Sequence, residues 1–91
     1  MKLVYIKWLD SFGCSTNWTE IGDLEPEPLV CESVGWLAYD GDLCKVVVPH
    51  LSQKDHAHTE HQGCGDMTIP TICVQEMMEL QIPMVELRTV K

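Results

Sequence analysis

The sequence predicts a mainly β domain, a small twisted antiparallel barrel closed by one short C-terminal helix. Three observations carry this prediction. Residues 2–9 place Val4, Ile6 and Trp8 on one face and Leu3, Tyr5 and Lys7 on the other, the alternation of a strand with one buried side. Asp40-Gly41 separates two apolar runs, the strongest short-range hairpin signal. After Pro70, Cys73, Met77 and Leu80 fall at i, i+4 and i+7, the spacing of one helical face.

The elements follow in order. A first strand near 2–10 ends at Asp10-Ser11-Phe12-Gly13, whose residues favour turns. A long connection runs to Pro28 and holds Glu20, Asp23, Glu25 and Glu27, the most acidic stretch of the chain. Connections of this length are uncommon in compact domains and are often functional. A second strand near 29–39 is interrupted by Gly35, which marks a bulge or sharp bend. A third strand near 42–49 closes at Pro49, which cannot donate to a ladder. A polar loop over 50–66 carries every histidine, a short strand near 66–69 follows, and the helix is expected near 71–80. Met84 to Val90 alternates again and is expected to add a last strand within the chain or across a subunit boundary. The expected core is Val4, Ile6, Val34, Trp36, Val46, Val48, Ile69, Met77 and Leu80. This order fits a small SH3-like or Sm-like barrel in one domain spanning 1–91. Its core is small, so self-association into a homo-oligomer is expected to complete the burial.

Charge narrows the partners. Fourteen acids against six bases give a net charge of −8, and the bases form no stripe. Phosphate backbones repel such a chain, which argues against generic nucleic-acid binding. An acidic domain suits a basic protein partner better, although a pocket with local bases and backbone N–H groups can still hold a small anion. No stretch approaches the roughly 20 apolar residues of a membrane span, and the start lacks the apolar run of a signal peptide. A cytoplasmic location is therefore expected. The five cysteines, Cys14, Cys31, Cys44, Cys64 and Cys73, are then expected to be reduced, and their odd number leaves at least one unpaired within a single chain.

Two constellations bear on chemistry. His56, His58 and His61 form H-x-H-x-x-H with Cys64 three residues on, and imidazole nitrogen and thiolate sulfur are the preferred zinc donors. Four donors within nine residues suffice for one tetrahedral zinc ion if the loop folds around it, with His50 upstream. A solvated loop that happens to hold histidines explains the same residues. Asp10-Ser11 has no strained nucleophile elbow around it and reads as turn chemistry. The second constellation is by residue type: Trp18 on its long loop, with Tyr39, Lys45 and Arg88, supplies stacking surfaces and cations for a ligand or partner.

Tyr5-Ile6-Lys7-Trp8-Leu9-Asp10-Ser11, then Trp18, then Ser33-Val34-Gly35-Trp36-Leu37, then Asp66-Met67-Thr68-Ile69-Pro70 resembles a group of small tailed-phage accessory proteins encoded among early genes. The resemblance runs from about residue 3 to about residue 80. It implies a phage or prophage product acting inside an infected bacterium by binding, either to inhibit a host protein or counteract host defence, or as a sponge for a small signalling nucleotide. A zinc-binding protein or metal-dependent hydrolase built on the histidine loop is the enzyme-class alternative.

Overall fold

A computed structural model of the chain describes residues 1–13, 15–54, 60–82 and 90. These residues form a mainly β structure. β1 (Leu3–Asp10), β2 (Leu29–Asp40), β3 (Cys44–Val48), β6 (Met67–Pro70) and β7 (Val74–Glu79) make one antiparallel sheet in the order β6-β3-β2-β1-β7. β4 (His50–Leu51) and β5 (Gly63–Cys64) form a separate two-stranded hairpin. A single 3₁₀ turn, Thr71–Cys73, links β6 at one edge of the large sheet to β7 at the other, so the sheet must curl to bring these edges within reach.

The curl creates the core. On the concave face Val4, Ile6, Trp8, Val47 and Ile69 are buried together, with Cys31, Leu37, Cys73, Val74 and Met77 packed against them. β1 carries three of the five because its alternation is strict and it pairs on both sides, with β2 and with β7. The indole Nε1 of Trp8 donates to Ser33 Oγ on β2 at 3.1 Å, which satisfies the one polar atom this large side chain brings inside.

The expected helix over 71–80 is replaced by the 3₁₀ turn and β7. A β-bulge explains the misleading spacing. Ile6 pairs with Met77 and Lys7 with Glu76, but Trp8 pairs with Val74, so Gln75 is an extra residue. The insertion resets the phase, and Val74 and Met77 both reach the core three residues apart, as they would on a helix.

Further core assignments change. Gly35 pairs with the buried Val4, so the concave face of β2 carries Gly35 and Leu37, while Val34 and Trp36 lie on the convex face opposite Tyr5 and Leu3. Val34 is consequently 55 % exposed and Trp36 half-buried. In β3 the run of three valines has no alternation to set its phase, and Val47, rather than the half-buried Val46, enters the core cluster. Val48 is buried on the convex side, where a Cβ placed on Gly63 would come within 2.7 Å of its Cγ1. The β4–β5 hairpin therefore folds over that end of the convex face. Gly65, with φ +78, makes the left-handed turn from β5 into β6. Met77 and Leu80, expected in the core, are half-buried, and Leu80 is anchored by its N–H to the Leu3 carbonyl at 2.8 Å. The expected strand over 84–90 lies outside the described residues apart from Val90.

Candidate functional site

The long connection after β1 borders an open hollow. Ser11, Phe12 and Gly13 leave β1 on one side, and residues 23–28 approach β2 on the other. Between them lies an open groove of about 630 Å³. Its composition follows from the local sequence. A 3₁₀ turn over Ile21–Asp23 ends at Leu24, which is extended at φ −70 and ψ 138, and the alternating Glu25-Pro26-Glu27-Pro28 continues toward β2. Proline fixes φ near −65° and favours extended conformations in the residue before it, so acids and apolar rings are held in series. The backbone N–H of Glu27 donates to the Glu25 carbonyl at 2.9 Å, tightening the segment locally.

Phe12, Leu24, Pro26 and Pro28 give the groove its apolar surface, and Asp23, Glu25 and Glu27 give it three carboxylates. Both kinds of group are open to solvent, and Phe12 is 61 % exposed. Trp18 stands fully exposed on the same connection beside Ser15, Thr16 and Asn17, where the Asn17 N–H donates to Ser15 Oγ at 3.2 Å. Ile21 and Leu24 are exposed as well. An exposed tryptophan, a phenylalanine and two aliphatic side chains on one acidic connection can hold a segment that presents apolar residues and Lys or Arg together.

The other sequence candidates are distributed differently. Tyr39 is exposed at the end of β2, and its ring lies against Gly41. Lys45 forms an ion pair with Asp40 and donates to the Gly41 carbonyl at 3.1 Å. That same carbonyl accepts from Thr71 Oγ1 at 3.0 Å, and Thr71 N–H donates to the Leu43 carbonyl. Lys45 is thus held within the β2–β3 turn, which Thr71 ties to the 3₁₀ turn, far along β2 from the Leu29 end, where the acidic connection enters. Arg88 lies outside the described residues.

Of the four zinc candidates, His56 and His58 lie outside the described residues. Cys64 is exposed and sits opposite His50 in the β4–β5 ladder. His61 Nδ1 donates at 2.6 Å to the carbonyl of Ser52, the residue that follows β4. Among the described residues no three His, Cys, Asp or Glu side chains converge into a metal-binding group. Asp10 is engaged locally, its Oδ1 accepting the Ser11 N–H at 2.8 Å, as the turn reading expects.

Sequence reasoning singled out Trp18 and the acidic character of the connection but missed Phe12, Leu24, Pro26 and Pro28. The Leu-Glu-Pro-Glu-Pro-Leu run over 24–29 was the available signal, since alternating acid and proline forms a stiff ridge with two chemistries. Among the described residues no helix is long and apolar enough to cross a membrane. Comparison with family models, with curated proteins and with solved structures finds no match to this chain.

Proposed function

We propose that this protein acts by binding, as a tailed-phage or prophage accessory protein that occupies a host protein in the bacterial cytoplasm. The observation that carries the binding role is the groove on the connection over 11–28. It sets Phe12, Leu24, Pro26 and Pro28 against Asp23, Glu25 and Glu27, with Trp18 exposed nearby. The partner surface that fits is a basic segment with apolar side chains, because a net charge of −8 steers cations toward the groove and the rings supply desolvated contact. The phage origin rests on the sequence segments around Trp8, Trp18, Trp36 and Ile69.

The SH3-like form of the barrel belongs to the same proposal. Its support is the strand order β6-β3-β2-β1-β7, the long connection after the first strand and the 3₁₀ turn between the two edge strands. Homo-oligomerisation is proposed with it. The convex face of the sheet sets Val34 and Met78, each about half exposed, on either side of Tyr5, an apolar row across three strands of a small domain.

Affinity capture from a bacterial lysate tests the binding role, with the wild-type chain as bait beside Trp18→Ala and the triple variant Asp23→Asn, Glu25→Gln, Glu27→Gln. One host protein should be retained by the wild type, released by raised salt and lost with both variants. An identical set of captured proteins on all three baits would overturn the assignment of the groove.

A further inference from the structure

A second hollow lies at the other end of β1. The β4–β5 hairpin folds over the convex face beside Trp36, which pairs with Leu3 at the start of β1. Between hairpin and sheet is a cavity of about 350 Å³, lined among the described residues by Met1, Trp36, Leu51, Ser52, Gln53 and His61. Small-molecule pockets begin at about 300 Å³. It is separated from the acidic groove by the length of β1, roughly 20–25 Å at the usual strand rise.

Its polar groups are held in place. The Ser52 N–H donates to the Gln62 carbonyl at 2.8 Å, and the Gln62 N–H donates to Ser52 Oγ at 2.9 Å, which leaves the Ser52 hydroxyl proton free to donate. The Ser52 carbonyl can only accept, so the proton of the neutral His61 ring sits on Nδ1 and Nε2 is a bare acceptor. The cavity thus offers an indole for stacking, one imidazole acceptor, one hydroxyl donor and an amide that does both.

Its charge is also unlike the rest of the chain. Acids outnumber bases 14 to 6, yet none of the described lining residues is acidic. Among the sequence neighbours of the lining, Lys2 follows Met1, Lys54 follows Gln53 and Glu60 precedes His61, and all three are exposed, two bases to one acid. The backbone of Lys2 is fixed beside the cavity by the Leu37 N–H, which donates to its carbonyl at 2.8 Å. Of the other described lysines, Lys45 is paired with Asp40, and Lys7 stands in register between Glu32 and Glu76 on the neighbouring strands.

We propose that this cavity binds a purine mononucleotide. The base stacks on Trp36 and donates an N–H, from an exocyclic amine or a ring nitrogen, to His61 Nε2. Ser52 and Gln53 meet the remaining polar atoms of the base, and the phosphate turns outward to Lys2 and Lys54.

Titrating the ¹⁵N-labelled full chain with AMP and with GMP tests the site. At least one should give saturable shifts at the Trp36 indole N–H, Leu51, Ser52, Gln53 and His61. The corresponding nucleoside should bind about tenfold more weakly, the effect of losing charge-assisted contacts to phosphate. His61→Phe should weaken the nucleotide about tenfold while keeping a stacking surface, and Lys2→Gln with Lys54→Gln should abolish the preference for nucleotide over nucleoside. Trp36 stays intact in every variant because it belongs to the sheet, and the two-dimensional spectrum of each variant verifies its fold. No saturable shift at millimolar nucleotide, shifts confined to residues 11–28, equal affinity for nucleotide and nucleoside, or wild-type binding by His61→Phe would each overturn the proposal.

Discussion

Gly35 lies directly beneath Val47: a Cβ built on Gly35 would come within 2.6 Å of Val47 Cγ1 and 2.9 Å of the Val48 carbonyl oxygen. The absence of a side chain on the central strand lets β3 approach closely, so that Val47 and Val4, the β1 partner of Gly35, share one core. The neighbouring carbonyl is backbone and cannot swing aside. Gly35→Ala should therefore destabilise the domain by about 1–3 kcal/mol, the usual range for overpacking. Urea denaturation reads this as a lower midpoint at an unchanged slope, and an unchanged midpoint would show that the strands can spread.

Trp8 and Trp36 should separate clearly in stability. Trp8 is 9 % exposed in the core, whereas Trp36 is half-buried on the convex face. Trp8→Ala should cost about 3–5 kcal/mol and leave little folded protein, with Trp36→Ala distinctly milder. Ser33→Ala removes the acceptor of the Trp8 indole N–H and should cost about 1–3 kcal/mol as that donor is left without a partner. Denaturation midpoints in the order Ser33→Ala, Trp36→Ala and Trp8→Ala against wild type test these statements together.

The Tyr5 hydroxyl donates to Glu32 Oε2 at 2.9 Å, and this bond raises the phenol above its ordinary value of 10.0. Partial burial and the charges of Glu32 and Glu76 act in the same direction. A raised value in the folded state means that the contribution to stability is fully present below the unfolded value of 10.0 and is lost as pH climbs through the folded one. An NMR pH titration should find Tyr5 ionising above 10.0, and Glu32→Gln should lower its midpoint. A Tyr5 midpoint that Glu32→Gln leaves in place would assign the shift to another cause.

Thr71 closes the corner opposite the acidic groove. Its hydroxyl donates to the Gly41 carbonyl, which also receives Lys45 Nζ, and its N–H donates to the Leu43 carbonyl. Thr71→Val keeps the shape and deletes one hydrogen bond, so it should cost about 0.5–1.5 kcal/mol. Hydrogen exchange at the Gly41 N–H, which donates to the Cys44 carbonyl, and at the N–H of residue 71, which donates to the Leu43 carbonyl, should accelerate in that variant; wild-type exchange rates there would show that the backbone bonds alone hold the turn.

The convex face bears on assembly. Multi-angle light scattering should give at least twice the monomer mass at high micromolar concentration, and Val34→Lys with Met78→Lys should return the monomer by placing charge within the apolar rows. A monomer mass for the wild type would remove the oligomer from the proposed function.

Local pattern alone determined the strands that alternate or end in strong punctuation. β1 was legible because Val4, Ile6 and Trp8 recur at period two, and the β2–β3 hairpin because Asp40-Gly41 leaves little choice of turn. The acidic character of the connection and the prominence of Trp18 were legible as composition. Tertiary structure decided where local spacing had two readings. Cys73, Met77 and Leu80 suit a helix in isolation, but β1 offers a free edge, and pairing with it plus one bulge buries Val74 and Met77 without a helix. The same holds for Val34 against Gly35, decided by which residue meets Val4 across the ladder, and for the three valines of β3, whose phase follows from Val47 pairing with Leu37. Phe12 comes to face Leu24 and Pro26 only because the two ends of a long connection are fixed on adjacent strands. Periodicity reports on neighbours in the chain, and these choices are set by burial against residues tens of positions away.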